Sequence, residues 1–319
     1  MLTDFHCHLQ LECFKEDLPE VIFRAKKQGV DRFICNSVDI HGWLLMEKTA
    51  KRFKGTIIPC FGIHPLYVEE QYSHTIHNLL PYLLLRSDKE HQIKTPIGEI
   101  GLDHYVEDRD DTLQESIFRT QLQIAKTENR VVMLHTRKAL DRVVEILSEE
   151  GPFPAILFHG FSGPVGQMKK MVDLGGFFSF SANLLKVNHK KILEAAMQVP
   201  LDRVLLESDA PDLPPPMEMI PEDWRLPSGD FKRNPPSFSQ ILKSLAKTRG
   251  ITVDDIIKQI ERRELLEEDW PQPTSHSIRN EPAIITQILN KFAEIREIPA
   301  NDLKKQIQAN EQAFMQHIS

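Results

Sequence analysis

Histidines and carboxylates recur in this chain at places where a fold can bring them together. His6 and His8 flank Cys7, and His64 lies in Gly62-Ile63-His64-Pro65. Glu99 lies in Gly98-Glu99-Ile100-Gly101, and His135 opens His135-Thr136-Arg137. His159 opens His159-Gly160-Phe161-Ser162-Gly163, and Asp209 lies in Glu207-Ser208-Asp209-Ala210-Pro211. Four imidazoles (His6, His8, His135, His159) with two carboxylates (Glu99, Asp209) suit Zn²⁺ or another borderline transition ion, whereas a bare Mg²⁺ site carries more oxygen ligands. Six ligands are too many for one tetrahedral catalytic zinc with an open position. They match two ions that share a bridging carboxylate and a water. Glu99, central in strand order, is the natural bridge, and Asp209 can bind a metal and accept a proton from the bridging water.

Three more residues belong to this pattern. Arg137, two residues after His135, can clamp a phosphate with both arms of its guanidinium. His64 can hydrogen-bond a phosphate oxygen, and Glu207 can orient a metal-bound histidine. No Gly-x-Ser-x-Gly surrounds Ser162 or Ser208, which argues against a serine hydrolase. A lone histidine at a strand end is usually structural, and His-x-His is a weak signal by itself; the joint pattern carries the specificity. The other histidines (His41, His74, His77, His91, His104, His189, His276, His317) fall away from strand ends and are expected at the surface.

The elements that position these groups follow from periodicity. Short apolar runs read as strands over 2–5, 32–35, 56–62, 96–100, 131–134, 155–159, 177–180 and 203–207. Helical spacing marks 17–28, 43–52, 111–128, 139–149, 165–174 and 190–197. Alternating β and α units imply a parallel sheet. Eight units within residues 2–207 point to a closed (β/α)₈ barrel, and the absence of Gly-x-Gly-x-x-Gly after the first strand weakens a dinucleotide-binding reading. In such a barrel the C-terminal strand ends converge on one mouth. The candidate ligands follow strands one, four, five, six and eight, and period-two alternation turns His6 and His8 to the same side.

The last third differs. Residues 213–228 are rich in proline and acidic residues and read as a loop. Residues 239–264 and 286–311 then align without gaps at an offset of 47, with matches that include Gln240/Gln287, Arg249/Arg296, Asp255/Asp302 and Glu264/Glu311. Each copy is preceded by a similar tetrapeptide, Arg233-Asn234-Pro235-Pro236 and Arg279-Asn280-Glu281-Pro282. This reads as an internal duplication of a helix–turn–helix unit, too few repeats for a solenoid. Removing one 47-residue period leaves 272 residues, close to a single barrel.

Composition bounds the rest. With 41% hydrophobic and 27% charged residues the chain is an ordinary globular one. A net charge of −7 argues against a broad basic nucleic-acid surface, though not against a pocket that meets a few phosphates. Cys7, Cys13, Cys35 and Cys60 form no Cys-x-x-Cys pair and are expected as free thiols in a reducing cytosol. The N-terminus has no signal-peptide pattern, and no run approaches the roughly 18 apolar residues of a membrane span; residues 79–85 are broken by Pro81.

Together with Asp4-Phe5-His6-Cys7-His8 and Leu134-His135-Thr136-Arg137, these motifs stand in the order of a known family. The sequence resembles the TatD family of metal-dependent hydrolases, within the amidohydrolase superfamily, from about residue 1 to the Arg-Asn-x-Pro segment. The resemblance implies a TIM barrel with one or two divalent ions and phosphodiesterase activity on DNA. By it, His6, His8, Glu99 and Asp209 hold one metal, Glu99, His135 and His159 hold the second, and His64 and Arg137 sit near the substrate phosphate. Many members carry an acidic residue where Lys138 stands, which bears on substrate contacts. Either Arg-Asn-x-Pro copy can take the family's position.

The expectation is therefore an α/β (β/α)₈ TIM barrel over residues 1–265 with a duplicated helical extension over 266–319, either copy of which can close the barrel. The expected function is a cytoplasmic deoxyribonuclease, a 3′–5′ exonuclease on single-stranded DNA that uses a metal-activated water. Two divalent ions (Zn, Mn, Mg, Ni or Co) are expected, with weak, pocket-local contact to DNA and none to membrane. The alternatives are a D-aminoacyl-tRNA deacylase or other ester hydrolase on the same metal site, and a non-catalytic scaffold, against which six intact ligands argue.

Overall fold

A computed structural model describes residues 1–70, 72–107, 109–186, 190–221, 250–252, 255 and 279–319. Eight parallel strands alternate with helices: β1 (Leu2–Cys7), α1 (Leu18–Lys27), β2 (Val30–Asn36), α2 (Ile40–Arg52), β3 (Ile57–Cys60), α3 (Tyr72–His91), β4 (Ile97–Asp103), α4 (Asp111–Thr127), β5 (Val132–Arg137), α5 (Leu140–Glu150), β6 (Ile156–Phe158), α6 (Met168–Asp173), β7 (Gly176–Phe180), α7 (Lys190–Gln198) and β8 (Val204–Leu206). Two further helices, α8 (Ile285–Arg296) and α9 (Ala300–Met315), end the chain. The strands pair in order as β1-β2-β3 and β4-β5-β6-β7-β8. A parallel bridge between Phe61 and Ile97 joins β3 to β4. At the other seam the Asp209 N–H bonds to the His6 carbonyl at 2.8 Å and the His8 N–H to the Ala210 carbonyl at 2.7 Å. The result is a TIM barrel.

Two apolar clusters fill it. One gathers Phe5, Ile34, Ile58, Met133, Leu157, Phe177 and Leu205, from seven different strands, and such residues can meet only inside the ring. β4 contributes Gly98 instead: a Cβ there would lie 2.5 Å from the Met133 Cβ. The larger cluster lies between strands and helices and takes Val21 and Ala25 of α1, Phe118 and Leu122 of α4, and Val143 and Leu147 of α5, all at helical spacing. α3 was not read from the sequence, because Pro81 stands inside it. Ile76, Leu80, Leu83 and Leu84 nonetheless repeat at helical spacing, and all are buried, so packing overrides the local cost of the proline.

The second copy of the duplicated unit packs on the barrel. Phe314 of α9 meets Phe5 and Phe177 edge-on, at centroid distances of 5.4 and 5.3 Å, and Ile318 joins the same interior cluster. Asn310 donates to the Leu201 and Val204 carbonyls beside β8, and Arg296 to those of Ala196 and Val199. At the position of Phe314 the first copy carries Glu267, and at that of Asn310 it carries Arg263. A glutamate charge does not suit an apolar plug. Residues 233–236 and most of 239–264 lie outside the described residues, as do 222–228 of the expected loop. The turn of the first copy is described: Gly250 has φ 66°, matching Glu297 at φ 52° in the second. Thr252 and Asp255 exchange backbone-to-side-chain hydrogen bonds at 3.2 Å, a capping box. We propose that residues 279–319 belong to the barrel unit, which moves the surplus copy to the interior of the sequence.

Candidate active site

The sequence sets the ligand directions strand by strand. His6 lies in β1 and His8 just beyond it, while Glu99, Gly101 and Asp103 alternate along one side of β4. Gly101 is required where β4 passes β5: its φ is 147°, and a Cβ would overlap the His135 carbonyl oxygen. Helix α4 fixes two segments from behind. Gln114 and Gln121, seven residues apart on one face, each grip a peptide at both ends: Asp103 at 3.0 and 3.2 Å, and Ile63, next to His64, at 2.7 and 3.1 Å. Asp209 has φ 58°, a left-handed conformation that Asp tolerates better than most residues.

The two Glu99 oxygens face two different groups. Oε2 lies 3.3 Å from His6 Nε2 and 3.6 Å from His8 Nε2, and these nitrogens lie 3.7 and 3.6 Å from Asp209 Oδ1. Oε1 lies 2.9 Å from both His135 Nδ1 and His159 Nε2, which are 3.3 Å apart. Two donors each about 2.1 Å from one ion at a tetrahedral angle lie about 3.4 Å apart, so both spacings suit a bound cation.

Proton placement sharpens this fit. His8 Nδ1 lies 2.7 Å from the Asn36 carbonyl, an acceptor, so the proton is assigned to Nδ1 and the lone pair to Nε2. His135 Nε2 lies 3.0 Å from Asp103 Oδ2, which assigns the lone pair to Nδ1. His159 Nδ1 makes no hydrogen bond; Glu207 Oε1 lies 3.6 Å from it, on the side of the ring away from Glu99. Glu99 Oε1 thus faces the assigned lone pair of His135 and the His159 Nε2 across one small space, and fully buried His6 has no hydrogen-bond partner on either ring nitrogen. Buried polar atoms left this way call for a cation, and the residues fit a divalent metal.

His64 was read as a phosphate contact without a metal partner. The structure places its Nε2 3.5 Å from Glu99 Oε1, inside a potential ligand group with Glu99 and His135. Its Nδ1, however, accepts the Leu66 N–H at 3.1 Å, so Nε2 bears the proton and offers a donor rather than a lone pair. Burial and the neighbouring His135 push the ring down to about 3, which keeps it neutral. Burial pushes Glu99 up, but His159 and the His135 hydrogen bond outweigh it and hold the carboxyl well below the usual range.

Glu207 is fully buried and accepts from the Gly160 N–H at 2.7 Å and from the Ser179 hydroxyl, so its position beside His159 is fixed. Arg137 is exposed at the rim, over the Tyr105 ring. Two residues with a clear part were missed. Asp103 orients His135, and ending the fourth strand at Ile100 hid it; four residues from Glu99 in a strand is the same face. Asp4 accepts from the Ser208 N–H at 2.9 Å, from the His6 N–H at 3.3 Å and from the Ser208 hydroxyl, and thereby ties β1 to the Asp209 turn. Burial pushes Asp4 up to about 8. Cys7, Cys35 and Cys60 are buried free thiols and Cys13 is half-buried. No described helix is long and apolar enough to cross a membrane.

Comparisons with known proteins identify the family and the fold. A family model described as TatD related DNase matches residues 3–264. Human Deoxyribonuclease TATDN3 is 29% identical over 266 residues, 81% of this chain and 90% of that protein. The metal-dependent hydrolase YabD of Bacillus subtilis is 29% identical over 259 residues, 80% of this chain and 94% of that one. The crystal structure of YjjV, a TatD homologue from Escherichia coli, superposes with a TM-score of 0.73 at 19% identity, covering 99% of this chain and 98% of that one, which speaks to the fold alone.

Proposed function

The chain belongs to the TatD family of metal-dependent hydrolases, and on that premise we propose that it is a deoxyribonuclease that removes nucleotides from the 3′ end of single-stranded DNA. The observation that carries this reading is the split of Glu99, with one oxygen toward His6 and His8 and the other toward His135 and His159. His6, His8, Glu99 and Asp209 would hold one divalent ion, and Glu99, His135 and His159 a second. Ions bound there supply Lewis acidity for a phosphoryl oxygen and a water acidic enough to act near neutral pH.

The chain's own groups do the rest. Asp209, the carboxylate at the end of β8, receives the proton of the attacking water. Neutral His64 donates its Nε2–H to a phosphate oxygen, and Arg137 offsets the charge that develops there. Asp103 and Glu207 hold His135 and His159 with their lone pairs toward Glu99. Burial of the cluster keeps competing water away.

The test is hydrolysis of a short single-stranded oligonucleotide labelled at either end, by metal-loaded protein. Products that shorten from the 3′ end are expected, with loss on chelation. Asp209→Asn should retain the fold and lose roughly 100-fold or more in turnover. Near-wild-type turnover in that variant sinks the assignment of Asp209. Hydrolysis of a D-aminoacyl-tRNA in preference to DNA replaces the substrate, and no metal-stimulated hydrolysis of either turns the reading toward a scaffold.

A further inference from the structure

Beyond the strand ends, the mouth is rimmed beside β4 and β5 by Tyr105, Arg137 and Lys138. Asp103 and Arg137 are register partners, and the His104 N–H bonds to the Arg137 carbonyl at 2.8 Å, so the chain leaving β4 runs along the end of β5. The Tyr105 N–H donates to Asp103 Oδ1 at 2.8 Å, and the other oxygen of that carboxylate lies 3.0 Å from His135 Nε2. Two hydrogen bonds therefore tie the position of Tyr105 to the metal-ligating cluster. Its side chain nevertheless faces outward, with 51% of the residue exposed. The Arg137 guanidinium lies 3.6 Å from the ring centroid and the Lys138 ammonium 4.6 Å. Lys138 has φ 54°, which a lysine seldom adopts. Among the described residues neither cation pairs with a carboxylate, in a chain whose net charge is −7.

Two cations that form no ion pair among the described residues, resting on an exposed aromatic ring at the edge of a phosphate-handling mouth, match a ligand with a flat ring and an anion one bond system apart. We propose that Tyr105, Arg137 and Lys138 form a nucleotide subsite, in which a base of a single-stranded polynucleotide stacks on Tyr105 and the adjacent phosphate lies between the two cations. This rests on the nuclease reading and extends it, because the ligand cluster addresses only the phosphate and leaves the base unrecognised. Every base has a π-face, so the subsite predicts grip on single strands with little base preference. The cations make that grip weaken as salt rises.

Binding and cleavage are measured separately on metal-loaded protein. Binding uses fluorescence anisotropy of a short phosphorothioate oligothymidylate and of the same strand with abasic residues. Tyr105→Ala should weaken the intact strand about fivefold or more while leaving the abasic strand within about twofold, as loss of one stacking contact requires. Tyr105→Phe should bind like wild type. Lys138→Glu should weaken both strands and flatten the salt dependence. Cleavage of the ordinary phosphodiester strand should follow the same order, in KM rather than kcat. An equal loss on both strands in Tyr105→Ala, or no loss on either, overturns the subsite. If Tyr105-dependent binding is found with no cleavage of DNA, the subsite stands and the nuclease reading falls. If DNA is cleaved with a KM that Tyr105→Ala leaves unchanged, the reverse holds, and if DNA is neither bound nor cleaved both fall.

Discussion

Three of the rings at the mouth are oriented by an atom outside the ligand cluster. Asn36 does this for His8 through a carbonyl, Asp103 for His135 and Glu207 for His159 through carboxylates. Partners of this kind fix the tautomer, and their loss usually costs about 10- to 100-fold in metal affinity. Glu207→Ala and Asp103→Ala should each weaken metal binding by that order, read by competition with a chelator of known affinity. Glu207→Ala should do so with the larger loss of stability, since it also strands the Gly160 N–H and the Ser179 hydroxyl. Sequence alone made His6, His8, Glu99, His135, His159 and Asp209 legible, because their types are rare at strand ends and their spacing is strict. It did not make Asp103 legible, because an aspartate that holds a histidine looks like any loop carboxylate until the strand is known to reach it.

The turn that carries Asp209 is held between two elements distant in sequence. From one side Asp4 of β1 accepts from the Ser208 N–H and hydroxyl. From the other, Asn280 donates from its side chain to the Ser208 carbonyl at 2.6 Å and from its N–H to the Pro211 carbonyl at 2.9 Å. Arg279 anchors this segment on Asp17 and the Cys13 carbonyl, and Arg24 grips Glu281 with two hydrogen bonds of 2.7 and 2.8 Å. Asn280→Ala leaves a buried carbonyl unpaired and should cost about 1–3 kcal/mol in urea denaturation, with a matching fall in metal affinity as the Asp209 turn loosens. In α9, burial pushes Glu311 up to about 7, against the pull of two Thr3 hydrogen bonds and of the positive charges of Arg32 and the Met1 amine. The unfolded carboxyl loses its proton near 4.5. Between those two pH values the folded chain holds a proton that the unfolded chain has lost, so stability falls as pH rises through that window. Glu311→Gln should flatten the fall, seen as a smaller difference in denaturation midpoint between pH 5 and pH 7.

For the molecule as a whole, the barrel is plugged by its own C-terminal helix. Phe314→Ala opens a void between Phe5 and Phe177 and should destabilise by about 3–5 kcal/mol. Metal loading should raise Tm and chelation lower it, because an ion that binds only the folded cluster stabilises by about 2.7 kcal/mol at 100 times its dissociation constant. Unchanged Tm on loading and chelation would remove the cation from the argument. The amino-acid sequence by itself determined the alternation of strands and helices, the duplication, and which residue types reach the mouth, since all of these are periodic or local. Only the tertiary structure decided that the second copy packs on the barrel, that the two Glu99 oxygens divide the histidines between them, and that His64 offers a proton rather than a lone pair. Those outcomes depend on which buried groups satisfy one another across the ring, and a linear spacing carries no record of that.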